Sequence, residues 1–190
     1  MQTQTNSMPP VPSAGIAAVK GSNQSPVNLA IALALAEAGI PVYPCAPDKR
    51  PRIAGGYRAA VTDRNTIIEW FTRWPTSLAA IPTGPQSGFF VLDVDGAAGR
   101  RSLNALFGEL EIERPTDLSR VVVRTPSGGL HFYFTLQSGE TPRSRASDIA
   151  LGLDTRGIGG GIIAPGNRLP DGRSYELIDV ADLPDFGGAA

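Results

Sequence analysis

Gly88-Phe89-Phe90-Val91-Leu92-Asp93-Val94-Asp95 is the stretch on which the fold turns. Its aromatic and β-branched residues, entered from a glycine, read as a strand. Side chains alternate along a strand, so Leu92 and Val94 face a core while Asp93 and Asp95 point together to the opposite side. Their Cα atoms then lie about 6.5–7 Å apart. Like charges so placed repel each other and raise one pKa unless a cation sits between them, and hard oxygen ligands of this kind suit Mg²⁺ or Mn²⁺. The same Asp-x-Asp pattern at a strand end also serves turns and helix caps. Other segments must decide between the two.

Upstream, Ser77–Pro82 reads as a second strand. Before it, Asp63 can cap a helix over about 64–74, whose Ile67, Ile68, Phe71 and Trp74 recur at helical spacing until Pro75 ends it. Trp70 and Trp74 are read as core residues. Ile40–Pro44 is an edge-like strand limited by its prolines and followed by the basic loop Asp48-Lys49-Arg50-Pro51-Arg52. The apolar run from Val27 to Ala38 predicts a buried helix with Ser25 as N-cap, Pro26 in the first turn and Gly39 as the stop. It is too short to span a bilayer and carries Glu37. Residues 1–24 are small and polar, and are read as a flexible leader.

Downstream, a helix is expected from Ala98 to Leu110, then strands at 120–124, 129–136, 161–164 and 174–178. The polar run 137–150, with Arg143 and Arg145, is expected to be a loop. Helices alternate with strands early and hairpin-like strands dominate late, which predicts an α+β fold with a mixed or antiparallel sheet.

Composition narrows the function. Hydrophobic residues make up 42% and charged residues 18%, the usage of a folded domain rather than of a disordered chain. Formal net charge is −1, so no global positive field draws the chain onto nucleic acid, and such contact must be local. One cysteine, Cys45, excludes an internal disulfide, and one histidine, His131, leaves too few soft ligands for structural zinc. An oxygen-ligated metal site is still open. The 22 glycines and 17 prolines predict many turns rather than a helical bundle.

Two further segments carry groups of matching chemistry. In the strand ending at Leu136, Leu130, Phe132 and Phe134 share one face, which sends His131, Tyr133 and Thr135 to the other. The preceding Arg124-Thr125-Pro126-Ser127-Gly128-Gly129 is a loop whose glycines allow backbone N–H groups to approach an anion and whose Ser127 adds a hydroxyl. A tight turn followed by a histidine of no special role is the plain alternative. If Leu151-Gly152-Leu153-Asp154-Thr155-Arg156 begins as a strand, Leu151 and Leu153 face inward while Asp154 and Arg156 share the outer face. They offer a third carboxylate and a cation able to hold phosphate bidentately. A surface ion pair beside a flexible glycine run is the alternative there.

In order along the chain, Lys49-Arg50-Pro51, Ile81-Pro82-Thr83-Gly84, Leu92–Asp95, Thr125–Phe134 and Asp154–Gly157 with Gly160–Pro165 resemble the bifunctional primase-polymerase domain of the archaeo-eukaryotic primase superfamily. The resemblance spans about residues 27–180. It implies an RNA-recognition-motif-like catalytic sheet joined to a smaller N-terminal α/β lobe with the active cleft between them, within a catalytic domain at 25–186 and a tail or linker at 187–190. By the same resemblance Asp93, Asp95 and Asp154 are the catalytic metal carboxylates for Mg²⁺ or Mn²⁺. Ser127, Gly128, Gly129, His131 and Arg156 are nucleotide ligands, and Lys49, Arg50 and Arg124 are candidate template or phosphate contacts.

The implied activity is template-directed nucleotidyl transfer, a DNA primase or DNA-directed polymerase in plasmid, phage or mobile-element replication. Its partners are a single-stranded DNA template, an NTP or dNTP and a helicase or helical priming module, with no membrane. Its place is the cytoplasm. No Gly-x-x-x-x-Gly-Lys-Ser/Thr motor sequence is present, so no helicase motor is expected here. The polar-small ending Asp185–Ala190 is read as a linker boundary in a longer replication protein, and without a helical priming module the chain is read as better suited to primer extension than to de novo priming. The competing readings are a non-catalytic single-strand-binding module, salt-sensitive through Lys49, Arg50, Arg52, Arg143 and Arg145, and a metal-dependent phosphodiesterase. The single histidine excludes a two-histidine relaxase site.

Overall fold

The computed structural model describes residues 24–113 and 118–179. The expected leader up to residue 23, the end of the expected 25–186 domain and the 187–190 tail lie outside the described residues. Helix α1 (Gln24–Glu37) already contains Ser25 and Pro26, so its start lies ahead of the expected N-cap. Its end is as read: Gly39, at φ +79°, donates to the Ala36 carbonyl, and Ile40 donates to Leu35, closing the helix with a left-handed cap.

Three strands form a small antiparallel sheet in the order β1 (Tyr43–Cys45), β2 (Leu78–Pro82) and β8 (Gly161–Ile163). The proline-bearing β1 is at its edge. Helix α2 (Arg64–Arg73) is capped by Asp63, whose carboxylate accepts from the Thr66 amide at 2.8 Å. Ile67 and Phe71 are buried, and Trp70 packs against the same core. Trp74 is a correction: it is half-buried at the helix end with the Arg73 guanidinium 4.9 Å above its ring. Two buried amides tie this layer together. Asn28 bonds the Ser77 and Arg168 carbonyls and the Arg168 amide, and Asn167 bonds both backbone groups of Ala79 and the Ala164 carbonyl.

The larger sheet is also antiparallel, in the order β6 (Arg145–Ala150), β7 (Leu153–Arg156), β3 (Phe89–Val94), β5 (Leu130–Thr135), β4 (Val122–Arg124) and β9 (Glu176–Ile178). Helix α3 (Gly96–Glu109) follows β3 directly and covers one face through Leu103 and Phe107, packed on Leu92, Val94, Leu130, Phe132 and Leu153. On the other face Val91, Val123 and Tyr133 share a core with the small sheet, α1 and α2. Both faces of β3 are therefore covered, and Asp93 emerges between two hydrophobic layers.

Two expectations need correction here. The run 137–150 is not all loop, because β6 forms within it. Its sequence lacks alternation because it is an edge strand with a register irregularity against β7 and its described side chains are largely exposed, so no face needs a hydrophobic set. Leu151 does not face inward: it is 71% exposed, whereas Leu153 is fully buried. Gly152, at φ +75°, turns the chain between them, so strand parity starts only at Leu153.

Candidate active site

Sheet register builds the site. Asp93 of β3 is paired with His131 of β5 on one side and with Asp154 of β7 on the other. Partners in a ladder point to the same face, so three chemically active side chains form one row across three adjacent strands. Asp95 is two residues beyond Asp93 and serves as the N-cap residue of α3, but its side chain makes no capping hydrogen bond. The carboxylate is left to face its neighbours: single oxygens of Asp93, Asp95 and Asp154 lie within 4.8 Å of one another.

Gly129 sets one wall. A Cβ there would lie 2.6 Å from the Val94 carbonyl oxygen and 3.5 Å from Asp95 Oδ1, so the turn before β5 can pass this close only without a side chain.

Arg156 spans the row. Its Nε donates to Asp93 Oδ2 at 3.1 Å and its Nη2 donates to Asp154 Oδ2 at 2.8 Å, with Nη2 also in ion-pair contact with Asp93 Oδ2 at 3.0 Å. The other Asp154 oxygen accepts from the Ser147 amide at 2.8 Å, a bond made available by the irregular backbone of β6. His131 Nε2 lies 3.3 Å from Asp93 Oδ1. The two atoms are close without an aligned hydrogen bond, since Asp93 Oδ1 is buried without a hydrogen-bond partner, as is His131 Nδ1 on the other side of the ring. Asp93, His131 and Arg156 open on a cavity of about 210 Å³, whose wall also includes Lys49, Tyr43, Cys45, Tyr175 and the three residues of β8.

The carboxylates differ electrostatically. Burial pushes Asp93 upward, but the His131 contact and the charges of His131 and Arg156 outweigh it and hold the carboxyl below its ordinary value. Asp95 moves the other way, raised by desolvation and then by the charges of Asp93 and Asp154, with Lys49 and Arg156 opposing. The expected repulsion between paired carboxylates therefore falls on Asp95.

Not every expected ligand meets the cavity. Asp93, His131, Arg156 and Lys49 line it, whereas Asp95 and Asp154 stand beside Asp93 without lining it. The amides of Gly128 and Gly129 are both taken by Thr125, through its carbonyl and its hydroxyl respectively, and Ser127 Oγ sits 3.0 Å from the same hydroxyl. The turn is braced from outside by Arg100 on the Gly128 carbonyl and Arg173 on the Pro126 carbonyl. Arg50 is exposed and faces Asp48 at 3.6 Å, and Arg124 faces Glu176 at 3.6 Å, neither of them lining the cavity. Tyr43, Cys45 and Tyr175 were not anticipated. No short motif marks them, since they are brought in by packing of one sheet on the other.

Residues 32–186 match the family described as bifunctional DNA primase/polymerase, N-terminal. The chain belongs to this family. No curated protein matches it. A primase/polymerase domain acts on nucleic acid with nucleotide substrates, and enzymes of this family generally use divalent metals. The donor set fits such ions: three carboxylates converge, and one buried oxygen, Asp93 Oδ1, has no hydrogen bond to satisfy it. Among the described residues, no helix is long and apolar enough to cross a membrane.

The raised Asp95 carboxyl of the primase/polymerase domain gives a test without substrate. A group whose folded pKa lies above its unfolded value opposes folding once the pH exceeds both. Asp95→Asn is thus expected to raise the Tm in chelator at pH 7, and to lose that advantage below about pH 4, where the carboxyl is protonated in both states. Thermal melts with EDTA at the two pH values decide it. A lower Tm for the variant at pH 7 would contradict the electrostatic assignment.

Proposed function

We propose that this primase/polymerase domain is a template-directed nucleotidyltransferase that joins nucleotides to a 3′-hydroxyl, with Asp93, Asp95 and Asp154 holding two Mg²⁺ or Mn²⁺ ions. The observation that carries the reading is the Asp154–Asp93–His131 row in register across β7, β3 and β5, closed by Asp95, with Asp93 and His131 lining a cavity that also presents Arg156 and Lys49. When bound, the ions would lower the pKa of the attacking hydroxyl and neutralise charge on the leaving pyrophosphate.

The chain's own groups do the rest. A triphosphate brings about four negative charges, which Arg156, Lys49 and His131 offset from the cavity wall. Lys49 stands at φ +70° in a turn closed by its amide on the Ala46 carbonyl, which places the residue at the cavity wall. Ser127 is exposed on the neighbouring turn and supplies a hydroxyl, Gly128 forms the turn at φ +85°, and Gly129 lets the turn pass close to Val94 and Asp95. The template follows the basic residues Lys49, Arg50 and Arg124. The strand order β7-β3-β5-β4, with α3 crossing between β3 and β4, supports the RNA-recognition-motif-like description of the large sheet, with the small sheet, α1 and α2 as the second lobe. The setting is replication of a plasmid, phage or mobile element in the cytoplasm, alongside a helicase or helical priming module.

Primer extension tests this reading. On a primed single-stranded template with Mn²⁺ or Mg²⁺ and labelled dNTP or NTP, the protein is expected to add nucleotides in an EDTA-sensitive manner. Template binding without incorporation under either metal would replace it by the single-strand-binding module, and strand cleavage without nucleotide would replace it by a phosphodiesterase.

A further inference from the structure

The position of Arg156 has a consequence for the order in which ligands enter. Its guanidinium contacts Asp93 Oδ2 and Asp154 Oδ2, so it already occupies one side of two of the three carboxylates that converge. Asp95, the third, makes no ion pair among the described residues and is left without the arginine. A divalent ion drawn to the same oxygens meets a fixed positive charge a few ångströms away, and the two repel. The side chain is 34% exposed and also lines the cavity, so its head group has somewhere to go.

We infer that Arg156 is an internal counter-cation of the acidic cluster, displaced from Asp93 and Asp154 when divalent metal binds and thereby released to the nucleotide phosphates. This rests on the metal-carboxylate reading above and adds to it an exchange. Without metal, the arginine screens the carboxylates from one another and is unavailable to an anion. With metal, the carboxylates are satisfied by the ion and the guanidinium is free in the same cavity. Metal and nucleotide then favour each other's binding, and by linkage the effect is reciprocal. A fixed structural role for Arg156, holding the carboxylates in place for the metal, predicts the opposite sign when it is removed.

Direct Mn²⁺ titration, followed by the electron paramagnetic resonance signal of free Mn²⁺ with no nucleotide present, separates these cases. Arg156→Gln is expected to bind Mn²⁺ about tenfold more tightly than the parent, and Arg156→Lys, which keeps charge without the fork, to fall between them. Thermal melts of the same proteins provide a second measurement. Arg156→Gln should melt lower than the parent in EDTA and gain more from Mn²⁺. Equal or weaker Mn²⁺ binding by a folded Arg156→Gln overturns the exchange while leaving the metal site standing. Absence of Mn²⁺ binding by the parent and both variants removes the metal-carboxylate reading itself, and the exchange with it. If Arg156→Gln does not fold, Arg156→Lys decides: Mn²⁺ affinity no higher than the parent's overturns the proposal.

Discussion

On the proposed reading, Asp93→Asn is expected to lower metal-dependent primer extension by at least about a thousandfold, the rate equivalent of the several kcal/mol that a bound cation contributes to phosphoryl transfer. The substitution keeps the shape of the side chain and removes its charge. It also places an amide where the structure has a carboxylate facing two donors, Arg156 on one oxygen and His131 near the other. One donor is then opposed by the new N–H₂. The fold survives because Arg156 retains Asp154 as a partner, and the expected cost is about 1–3 kcal/mol. Circular dichroism and a melt accompany the assay. A folded Asp93→Asn protein that keeps a tenth or more of the parent rate would mean that Asp93 does not hold a catalytic ion.

Gly152→Ala is the second large effect, and it reaches the site through the backbone. Gly152 combines φ +75° with a crowded approach: a Cβ would lie 2.6 Å from the Gly99 nitrogen, 2.8 Å from the Gly99 Cα and 3.0 Å from the Asp95 carbonyl oxygen. All three are backbone atoms, so no side-chain rotation relieves the overlap. The Gly152 carbonyl also accepts from the Asp95 amide at 2.9 Å, which pins the start of α3 beside β7. Moving these segments apart separates Asp95 from Asp154. The expected loss is about 2–4 kcal/mol of stability, a fall in Tm of roughly 5–15 °C, together with weakened Mn²⁺ binding. Gly139→Ala is the control, since Gly139 has φ +87° but nothing within 4 Å of a built Cβ. It carries the backbone strain without the clash, and should leave Mn²⁺ binding at the parent level. Equal Mn²⁺ affinity in Gly152→Ala and Gly139→Ala would show that the Gly99–Gly152 contact does not position Asp95.

Parity along single strands carried the part of the site that could be read early. Alternation placed Asp93 with Asp95, His131 opposite Leu130 and Phe132, and Asp154 with Arg156, and the structure has each arrangement. Alternation is a local property, so it needs no knowledge of the partner strand. Which strands become neighbours is a different matter: the pairing of Asp93 with both His131 and Asp154 is set by order in the sheet, and no single segment encodes it.

The same limit explains what was missed. β6 has no hydrophobic period because an edge strand buries little, and Leu151 changes face because one positive-φ glycine resets the count. Asn28 and Asn167 look like ordinary polar residues in the sequence, yet their amides are buried to satisfy backbone groups between layers. Tyr43, Cys45 and Tyr175 reach the cavity only because two sheets are packed together. The Thr125–Gly129 turn shows a further limit. Its glycines permit close approach, but Thr125 takes the amides that an anion would use.

The most direct test of the account is a crystal of the protein soaked with Mn²⁺ and a nucleoside triphosphate, with data collected at the manganese absorption edge. Anomalous density among the Asp93, Asp95 and Asp154 carboxylates, with the phosphates toward His131 and Arg156, is the predicted result. Ordered triphosphate in the cavity with no anomalous peak at these three carboxylates would contradict it.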